Sequence, residues 1–103
     1  MDYIDQVLTA VESIPPGRAC AYSDLAELVG RGGPRQVGQV MARFGAGVAW
    51  WRVVRADGRP ARGLEEQALA RLRAEGTPLR GDRVDLTRAR FDFPGADVER
   101  DSP

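Results

Sequence analysis

Two tryptophans stand side by side, Trp50 and Trp51, in a chain that lacks the side chains most sites of covalent chemistry depend on. With no His and with Cys20 as the single cysteine, a zinc site, a Cys/His dyad and a Ser/His/Asp triad are excluded. A single cysteine also excludes an internal disulfide. The carboxylates are scattered through charged helices and the C-terminal end, where a solvated surface explains them better than an acid/base pair. No metal and no cofactor is expected.

The segment Pro34–Phe44, with the sequence PRQVGQVMARF, is predicted to be a helix with two unlike faces. The apolar face, expected to be buried, carries Val37, Val40, Met41 and Phe44. The opposite face carries Arg35, Gln36, Gly38, Gln39, Ala42 and Arg43. A glycine inside a helix costs about 1 kcal/mol relative to alanine, which a fold tolerates where something approaches the backbone closely. A polyanionic groove and a second packed helix explain Gly38 equally well at this stage.

Charge is distributed unevenly along the chain. The whole sequence has 15 basic and 15 acidic residues and no net charge. Residues 31–62, however, hold seven arginines against Asp57 alone, a net charge of +6. These arginines are Arg31, Arg35, Arg43, Arg52, Arg55, Arg59 and Arg62. Because binding to a polyanion follows the local potential more than the total charge, this third of the chain is suited to phosphate contact.

The pattern of elements predicts one mainly helical domain over residues 1–93. Helices are expected at 3–13, at 24–29 with Ser23 as its N-cap, at 34–44 and at 64–75. A short glycine-containing turn joins the second helix to the third, as in a helix-turn-helix, although many helical pairs share this pattern. There is no apolar run long enough to span a membrane.

A small β wing is expected after the third helix. Residues 48–54 are β-prone and should place the two tryptophans on opposite faces of a strand. Asp57-Gly58 indicates a turn, so residues 52–55 are predicted to pair with residues 59–62. Apolar residues farther on should fold back onto the domain, and residues 94–103 should form a loose acidic tail. These returning residues are Val84, Leu86, Phe91 and Phe93. The fold class is therefore mainly α with a small β wing, a winged helix-turn-helix.

Five short motifs, in their order and spacing, resemble the C-terminal domain of O6-alkylguanine-DNA alkyltransferases. They are Ile14-Pro-Pro-Gly-Arg, Tyr22-Ser-Asp-Leu-Ala, Pro34-Arg-Gln-Val-Gly, Trp50-Trp-Arg-Val-Val and Asp57-Gly. The likeness runs from about residue 3 to residue 93 and is strongest to the alkyltransferase-like proteins, which have Trp in place of the reactive cysteine. The family segment Pro-Cys-His-Arg-Val becomes Ala49-Trp50-Trp51-Arg52-Val53 here. Trp50 thus stands at the acceptor position and Trp51 at that of the assisting His.

The resemblance implies binding to duplex DNA through the minor groove. Its implied DNA contacts are Tyr22, Arg35, Gln36, Gly38, Gln39 and Ala42. Arg35 would fill the gap left by a rotated nucleotide, and Tyr22 would crowd the neighbouring phosphate. The pocket for the everted O6-alkylguanine would be formed by Trp50, Val53, Val54, Asp57 and Gly58. Arg52 is expected to be structural, tying its segment to the recognition helix. Plain structural roles remain alternatives: Tyr22 as a helix-entry residue, Arg35 as a solvated charge, and both tryptophans as core.

The same resemblance implies damage recognition without catalysis, because no thiolate stands in the pocket motif and Cys20 lies elsewhere. The bound lesion would be marked for nucleotide excision repair proteins and shielded from alkyltransferase. We expect a monomer in the cytoplasm, associated with the nucleoid in a bacterium, with no membrane partner. Two other classes remain open. One is a winged-helix transcriptional regulator that reads undamaged operator DNA, and the other is a protein-interaction module that has lost DNA contact.

Overall fold

Residues 1–94, the part of the chain that the computed structural model describes, fold into α-helices with two very small sheets. The helices are α1 (Tyr3–Glu12), α2 (Tyr22–Val29), α3 (Pro34–Phe44), α4 (Glu65–Ala74) and α5 (Leu86–Ala89). The strands are β1 (Cys20–Ala21), β2 (Val53–Val54), β3 (Leu79–Arg80) and β4 (Arg83–Val84). Two 3₁₀ turns, Gly45–Gly47 and Trp50–Arg52, lie between α3 and β2. The predicted fold class, mainly helical with a small β component, is confirmed.

The helix α2 begins two residues earlier than the sequence predicts. Its start is stabilised from inside the helix, because the Asp24 carboxylate accepts a hydrogen bond from the Ala21 backbone N–H at 2.8 Å. Ser23, the predicted N-cap, is exposed and lies within the helix. The shift makes Tyr22 the first residue of α2 rather than the residue before its N-cap.

The helix α3 has the predicted bounds. Pro34 occupies a first-turn position, where its missing N–H costs nothing. Val37, Val40 and Met41 are buried as predicted, but Phe44 is 45% exposed. Phe44 is the last residue of α3, and the chain turns away into the 3₁₀ segment at Gly45. The predicted apolar face is therefore confirmed for three of its four residues, and the fourth, at the end of the helix, is not covered by the core.

The parallel ribbon of β1 and β2 separates two parts of the core. Cys20 pairs with Val53 and Ala21 with Val54. Val53 packs with α1, α2 and α3, whereas Val54 packs with Leu69 and Leu72 of α4. Because successive strand residues point to opposite faces, the two valines belong to different clusters. The helix α4 buries Ala68, Leu69 and Leu72 as predicted.

The predicted wing is wrong in its pairing. Trp50–Arg52 is a 3₁₀ turn, and residues 52–55 form no ladder with residues 59–62. One backbone bond, from Arg55 N–H to the Arg59 carbonyl at 2.8 Å, closes the turn at the predicted Asp57-Gly58 position. Pro60 has no N–H to continue such a ladder. The antiparallel hairpin lies instead at β3 and β4, around Gly81 with φ +64°.

The C-terminal part of the described chain returns to the core. Val84 and Phe93 are buried, and Leu86 and Phe91 are partly buried, as predicted. The Phe91 N–H donates to the Ala19 carbonyl at 2.9 Å, which fixes this return beside β1. The predicted acidic tail over 94–103 lies, from residue 95 onward, outside the described residues. Within residues 1–94, no helix has the length and apolar character needed to cross a bilayer.

Candidate nucleic-acid interface

The outward face of α3 is open along its length. Arg35, Gln39 and Ala42 are exposed, and Gly38 lies between them, partly buried. A Cβ atom built on Gly38 would meet no other group within 4 Å among the described residues. No second helix therefore packs against Gly38, and of the two explanations that the sequence left open, helix packing is excluded for residues 1–94. The small centre of this face remains accessible to an external partner.

Two neighbouring side chains of α3 are constrained very differently. Arg35 is exposed and makes no hydrogen bond or ion pair with any residue from 1 to 94. Gln36, also exposed, uses its Oε1 to accept a hydrogen bond from the Gly33 N–H at 2.8 Å. Gln36 thus closes the start of α3, and its amide N–H groups are free for another contact. The guanidinium of Arg35 is free to move into a partner.

Tyr22 lies at the start of α2, partly buried against the first core cluster. Burial raises the pKa of its phenol, while the nearby Arg55 guanidinium opposes the rise and the Cys20 thiol adds to it. The side chain is therefore a neutral phenol at physiological pH, with a hydroxyl that can donate to an anion. Packing against the core and a free hydroxyl are compatible, so the helix-entry role does not exclude phosphate contact.

Three of the seven arginines in residues 31–62 are paired with carboxylates. Arg52 contacts Glu75, Arg55 contacts Glu65 at 3.6 Å, and Arg59 contacts Asp57 at 3.5 Å. Glu65 and Glu75 lie outside the segment whose charge was counted. The local positive charge is therefore lower than the count along the sequence indicates.

The other four arginines have no carboxylate partner among residues 1–94. They are Arg31, Arg35, Arg43 and Arg62. Arg31 donates to Gln6 Oε1 at 3.0 Å and lies 5.5 Å from the centre of the Tyr3 ring. Arg43 lies 5.9 Å from the centre of the Phe44 ring. Two of the four, Arg35 and Arg43, stand near the two ends of α3, on either side of its exposed centre.

Both tryptophans line an open cleft of about 480 Å³. Their ring centres lie 5.8 Å apart, and the ring planes meet at 86°, an edge-to-face arrangement. The cleft is also lined by Glu12, Ala46, Gly47, Val48, Ala49, Arg52 and Arg71. Both indoles are partly buried, with Trp50 packed against the first core cluster and Trp51 against the second, so each contacts the core as well as the cleft.

The other residues predicted to form a base pocket with Trp50 do not line this cleft. Val53 and Val54 are 1% and 0% exposed, because the ribbon they belong to is covered on both faces. Gly58 is buried with φ +90°, and a Cβ atom there would overlap the Val84 carbonyl oxygen. Asp57 is exposed. Its carboxylate accepts a hydrogen bond from the Arg59 N–H, and this bond lowers the pKa of the carboxyl. Base binding by any of these residues stays a prediction.

Arg52 has a structural role, as predicted, but the predicted contact with the recognition helix is wrong. Its Nε donates to Glu75 Oε1 at 3.0 Å and its Nη2 to Glu75 Oε2 at 2.6 Å. Its Nη1 donates to the Ile14 carbonyl at 2.7 Å. Arg52 therefore ties the 3₁₀ turn to the end of α4 and to the loop after α1, and not to α3. These bonds, with that from Trp51, hold the pKa of Glu75 below its usual range despite partial burial.

Trp51 faces α4. Its indole Nε1–H donates to Glu75 Oε2 at 3.1 Å. The guanidinium carbons of Arg52 and Arg71 lie 5.4 Å and 4.4 Å from its ring centre. Glu75 and Arg71 were missed by sequence reasoning, because both look like ordinary surface charges of a helix. No local pattern marks them, since the Trp51 contact spans 24 residues.

Cys20 is fully buried in β1. Burial is the main cause that raises the pKa of its thiol, with the Asp24 carboxylate acting in the same direction. The side chain is therefore a neutral thiol that does not line the tryptophan cleft. Thiolate chemistry at neutral pH is not available from this position.

Comparison with known proteins identifies the family. The sequence model described as "6-O-methylguanine DNA methyltransferase, DNA binding domain" matches residues 2–77, well over half of the chain. The chain belongs to this family. The match confirms the resemblance drawn from the five motifs. A search of curated proteins found no match.

Solved structures of the 6-O-methylguanine DNA methyltransferase family share the fold. S. pombe Atl1 in complex with damaged DNA containing O6-carboxymethylguanine is 26% identical, with a TM-score of 0.76 over 87% of this chain and 94% of that one. S. pombe ATL in complex with DNA is 27% identical, with a TM-score of 0.77 over 88% and 95%. A variant of the M. tuberculosis O6-methylguanine methyltransferase is 27% identical, with a TM-score of 0.63 over 84% of this chain and 54% of that one.

Proposed function

We propose that this protein recognises O6-alkylguanine in duplex DNA and transfers no alkyl group. The observation that carries the proposal is the open face of α3, where Gly38 has no neighbour and Arg35 has no partner among the described residues. A helix that is small at its centre can approach the floor of a narrow groove, and a free guanidinium can enter the duplex. The likeness to Atl1, whose solved complex contains O6-carboxymethylguanine in its DNA, supports the lesion as the ligand.

Base eversion is part of this proposal. Rotating a nucleotide out of the stack costs a few kcal/mol, and less where the base already pairs badly. Arg35 would occupy the space left in the duplex, and the Tyr22 hydroxyl would contact the adjacent phosphate. Trp50, partly buried at the cleft, would stack on the everted base, a contact worth roughly 1 to 3 kcal/mol. These roles follow the alkyltransferase-like proteins residue by residue.

The proposed absence of alkyl transfer rests on the nucleophiles that the chain contains. Trp50 stands at the acceptor position, and an indole nitrogen is a poor nucleophile for in-line displacement. Cys20 is buried as a neutral thiol in β1. The complex would instead persist and mark the lesion for nucleotide excision repair proteins. We also propose that the protein acts as a monomer in the cytoplasm.

The decisive experiment is a fluorescence titration of labelled duplexes that differ in one O6-methylguanine. We expect tighter binding to the lesion duplex for the wild type, because a damaged pair is easier to open. Arg35→Ala should remove most of this preference, whereas Arg88→Ala, an exposed cation of α5, should leave it unchanged. Equal affinities of the wild type for both duplexes would refute lesion recognition and favour a regulator that reads undamaged DNA.

Intact mass spectrometry tests the second half of the proposal. After incubation with an O6-methylguanine duplex, the protein should keep its mass, because no thiolate is accessible in the folded state. A gain of one methyl group would show alkyl transfer, and peptide mapping would identify the acceptor. Methylation at Cys20 in particular would contradict the inertness inferred from its burial.

A further inference from the structure

Trp51 is held on its edge and on its ring by three charged side chains. The indole N–H donates to Glu75 Oε2 at 3.1 Å. The guanidinium of Arg71 lies 4.4 Å from the ring centre and that of Arg52 lies 5.4 Å away. Cation–π contacts and a charge-assisted hydrogen bond together leave this indole little freedom.

The acceptor that holds Trp51 is itself anchored. Glu75 and Arg52 form a two-point ion pair whose side chains are only 15% and 13% exposed. Arg52 also donates to the Ile14 carbonyl. Such a shielded two-point pair has fixed geometry. The position of the Trp51 ring is therefore set by α4 and by the loop after α1 together.

Trp50 has no comparable anchor of its own. Its indole N–H has no hydrogen-bond partner among residues 1–94, and its ring packs partly against the first core cluster. Its ring and that of Trp51 meet edge to face, at 5.8 Å and 86°. Such a pair contributes orientation as well as buried area. The fixed ring is therefore the one that orients the less restrained ring.

We propose that Trp51 is a positioning residue: held by Glu75, Arg52 and Arg71, it fixes the plane of the Trp50 indole for stacking on the extrahelical base. It does not itself contact the lesion, because its N–H and its ring are already engaged by α4 and Arg52. The proposal rests on the proposed function, in which Trp50 stacks on O6-alkylguanine.

The test compares Trp51→Phe, which keeps an aromatic ring without an N–H, with Trp51→His, which keeps an N–H donor. Wild-type protein is titrated first with lesion and unmodified duplexes. Trp51→Phe should lower the ratio of the two affinities about tenfold, the lower end of the range expected for one lost hydrogen bond to a carboxylate. Trp51→His should recover most of the ratio. Affinity for the unmodified duplex should be the same in all three proteins.

Fluorescence of the free protein gives a second readout, which would not change if Trp51 served only the stability of the fold. The chain has two tryptophans, so each variant leaves Trp50 as the single one. We expect faster depolarisation of Trp50 emission in Trp51→Phe than in Trp51→His at equal thermal stability. Should Trp51→Phe not fold, Glu75→Gln carries the comparison of lesion and unmodified duplex affinities against wild type, because it removes the charge from the acceptor.

The two readouts separate failure of this proposal from failure of the proposed function. A wild type that binds both duplexes equally refutes lesion recognition, and the Trp50 depolarisation then still decides whether Trp51 orients it. If wild type and Trp51→Phe prefer the lesion duplex to the same degree, the positioning role is overturned and lesion recognition stands. Equal depolarisation in the Phe and His variants overturns it as well.

Discussion

Glu75 accepts hydrogen bonds from two consecutive side chains, Trp51 and Arg52, which directly follow the proposed lesion-contacting Trp50. Removing one partner of a shielded ion pair is costly, because it leaves the other charge without compensation. The bonds that hold the pKa of Glu75 below its usual range also make its contribution to stability depend on pH. Stability and site geometry are therefore coupled at this residue.

Glu75→Gln should lower the free energy of unfolding by about 2 kcal/mol at neutral pH. Because the pKa of Glu75 is lower in the folded protein, its contribution is complete above the unfolded value of about 4.3. It is lost as the pH falls through the folded value. Urea unfolding from about pH 7 down to about pH 3 should show wild type and variant converging in the acid range.

Glu66→Gln is the matched control for this prediction. Glu66 is an exposed carboxylate on the same helix, with no hydrogen bond or ion pair among the described residues. Its replacement should change stability little at any pH. A Glu75→Gln difference that stays constant from neutral to acid pH would show that the Glu75 charge does not stabilise the fold.

At the scale of an element, α3 combines a well-packed inner face with an outer face that the described fold does not use. The inner Val37, Val40 and Met41 hold the helix in place. The outer Gly38 lowers helix stability, and no group of residues 1–94 lies within 4 Å of the position that a Cβ atom would take there. A destabilising residue with no internal role is what a surface adapted to close approach by a partner requires.

Gly38→Ala should separate stability from binding. Alanine is a better helix former, so the variant should be about 1 kcal/mol more stable, and the structure leaves room for its methyl group. The same methyl group should obstruct close approach to a groove and weaken DNA affinity about tenfold. Thermal unfolding and a duplex titration measure the two effects.

Gln67→Ala on the exposed side of α4 is the control. Unchanged DNA affinity for Gly38→Ala would contradict the proposal that α3 approaches the DNA closely.

At the scale of the whole molecule, the balanced net charge hides a surplus of arginines in residues 31–62, the segment that contains α3. Ion pairs remove Arg52, Arg55 and Arg59 from that surplus, whereas Arg35 and Arg43 remain unpaired among residues 1–94. Each cation that neutralises a phosphate releases a counterion, and this makes affinity depend on salt. Placement of charge, rather than its total, should therefore govern binding.

Arg43→Gln and Arg73→Gln change the net charge equally but should affect DNA binding differently. Arg43 lies at the end of α3, and Arg73 is an exposed residue of α4. If Arg43 contacts a phosphate, its loss should reduce the slope of log affinity against log salt by about 0.9. Arg73→Gln should leave the slope unchanged. Equal slopes for the two variants would show that the total charge governs the interaction and that α3 does not direct it.

The sequence by itself indicated the helices α1 to α4, the two faces of α3, the lack of the residues needed for a zinc site or a Cys/His dyad, and the family. Helical periodicity and capping are properties of neighbouring residues, so a linear pattern is enough to predict them. The order of the five motifs can likewise be recognised in the sequence without knowledge of the fold.

The tertiary structure alone decided which distant residues meet. It paired Cys20 with Val53, placed Glu75 against Trp51 and Arg52, left Phe44 exposed and neutralised three arginines. The parallel ribbon and the Arg52 pair join residues more than 20 positions apart, as the 23-residue separation of Arg52 and Glu75 shows. Such contacts depend on how helices pack, and no local spacing encodes them.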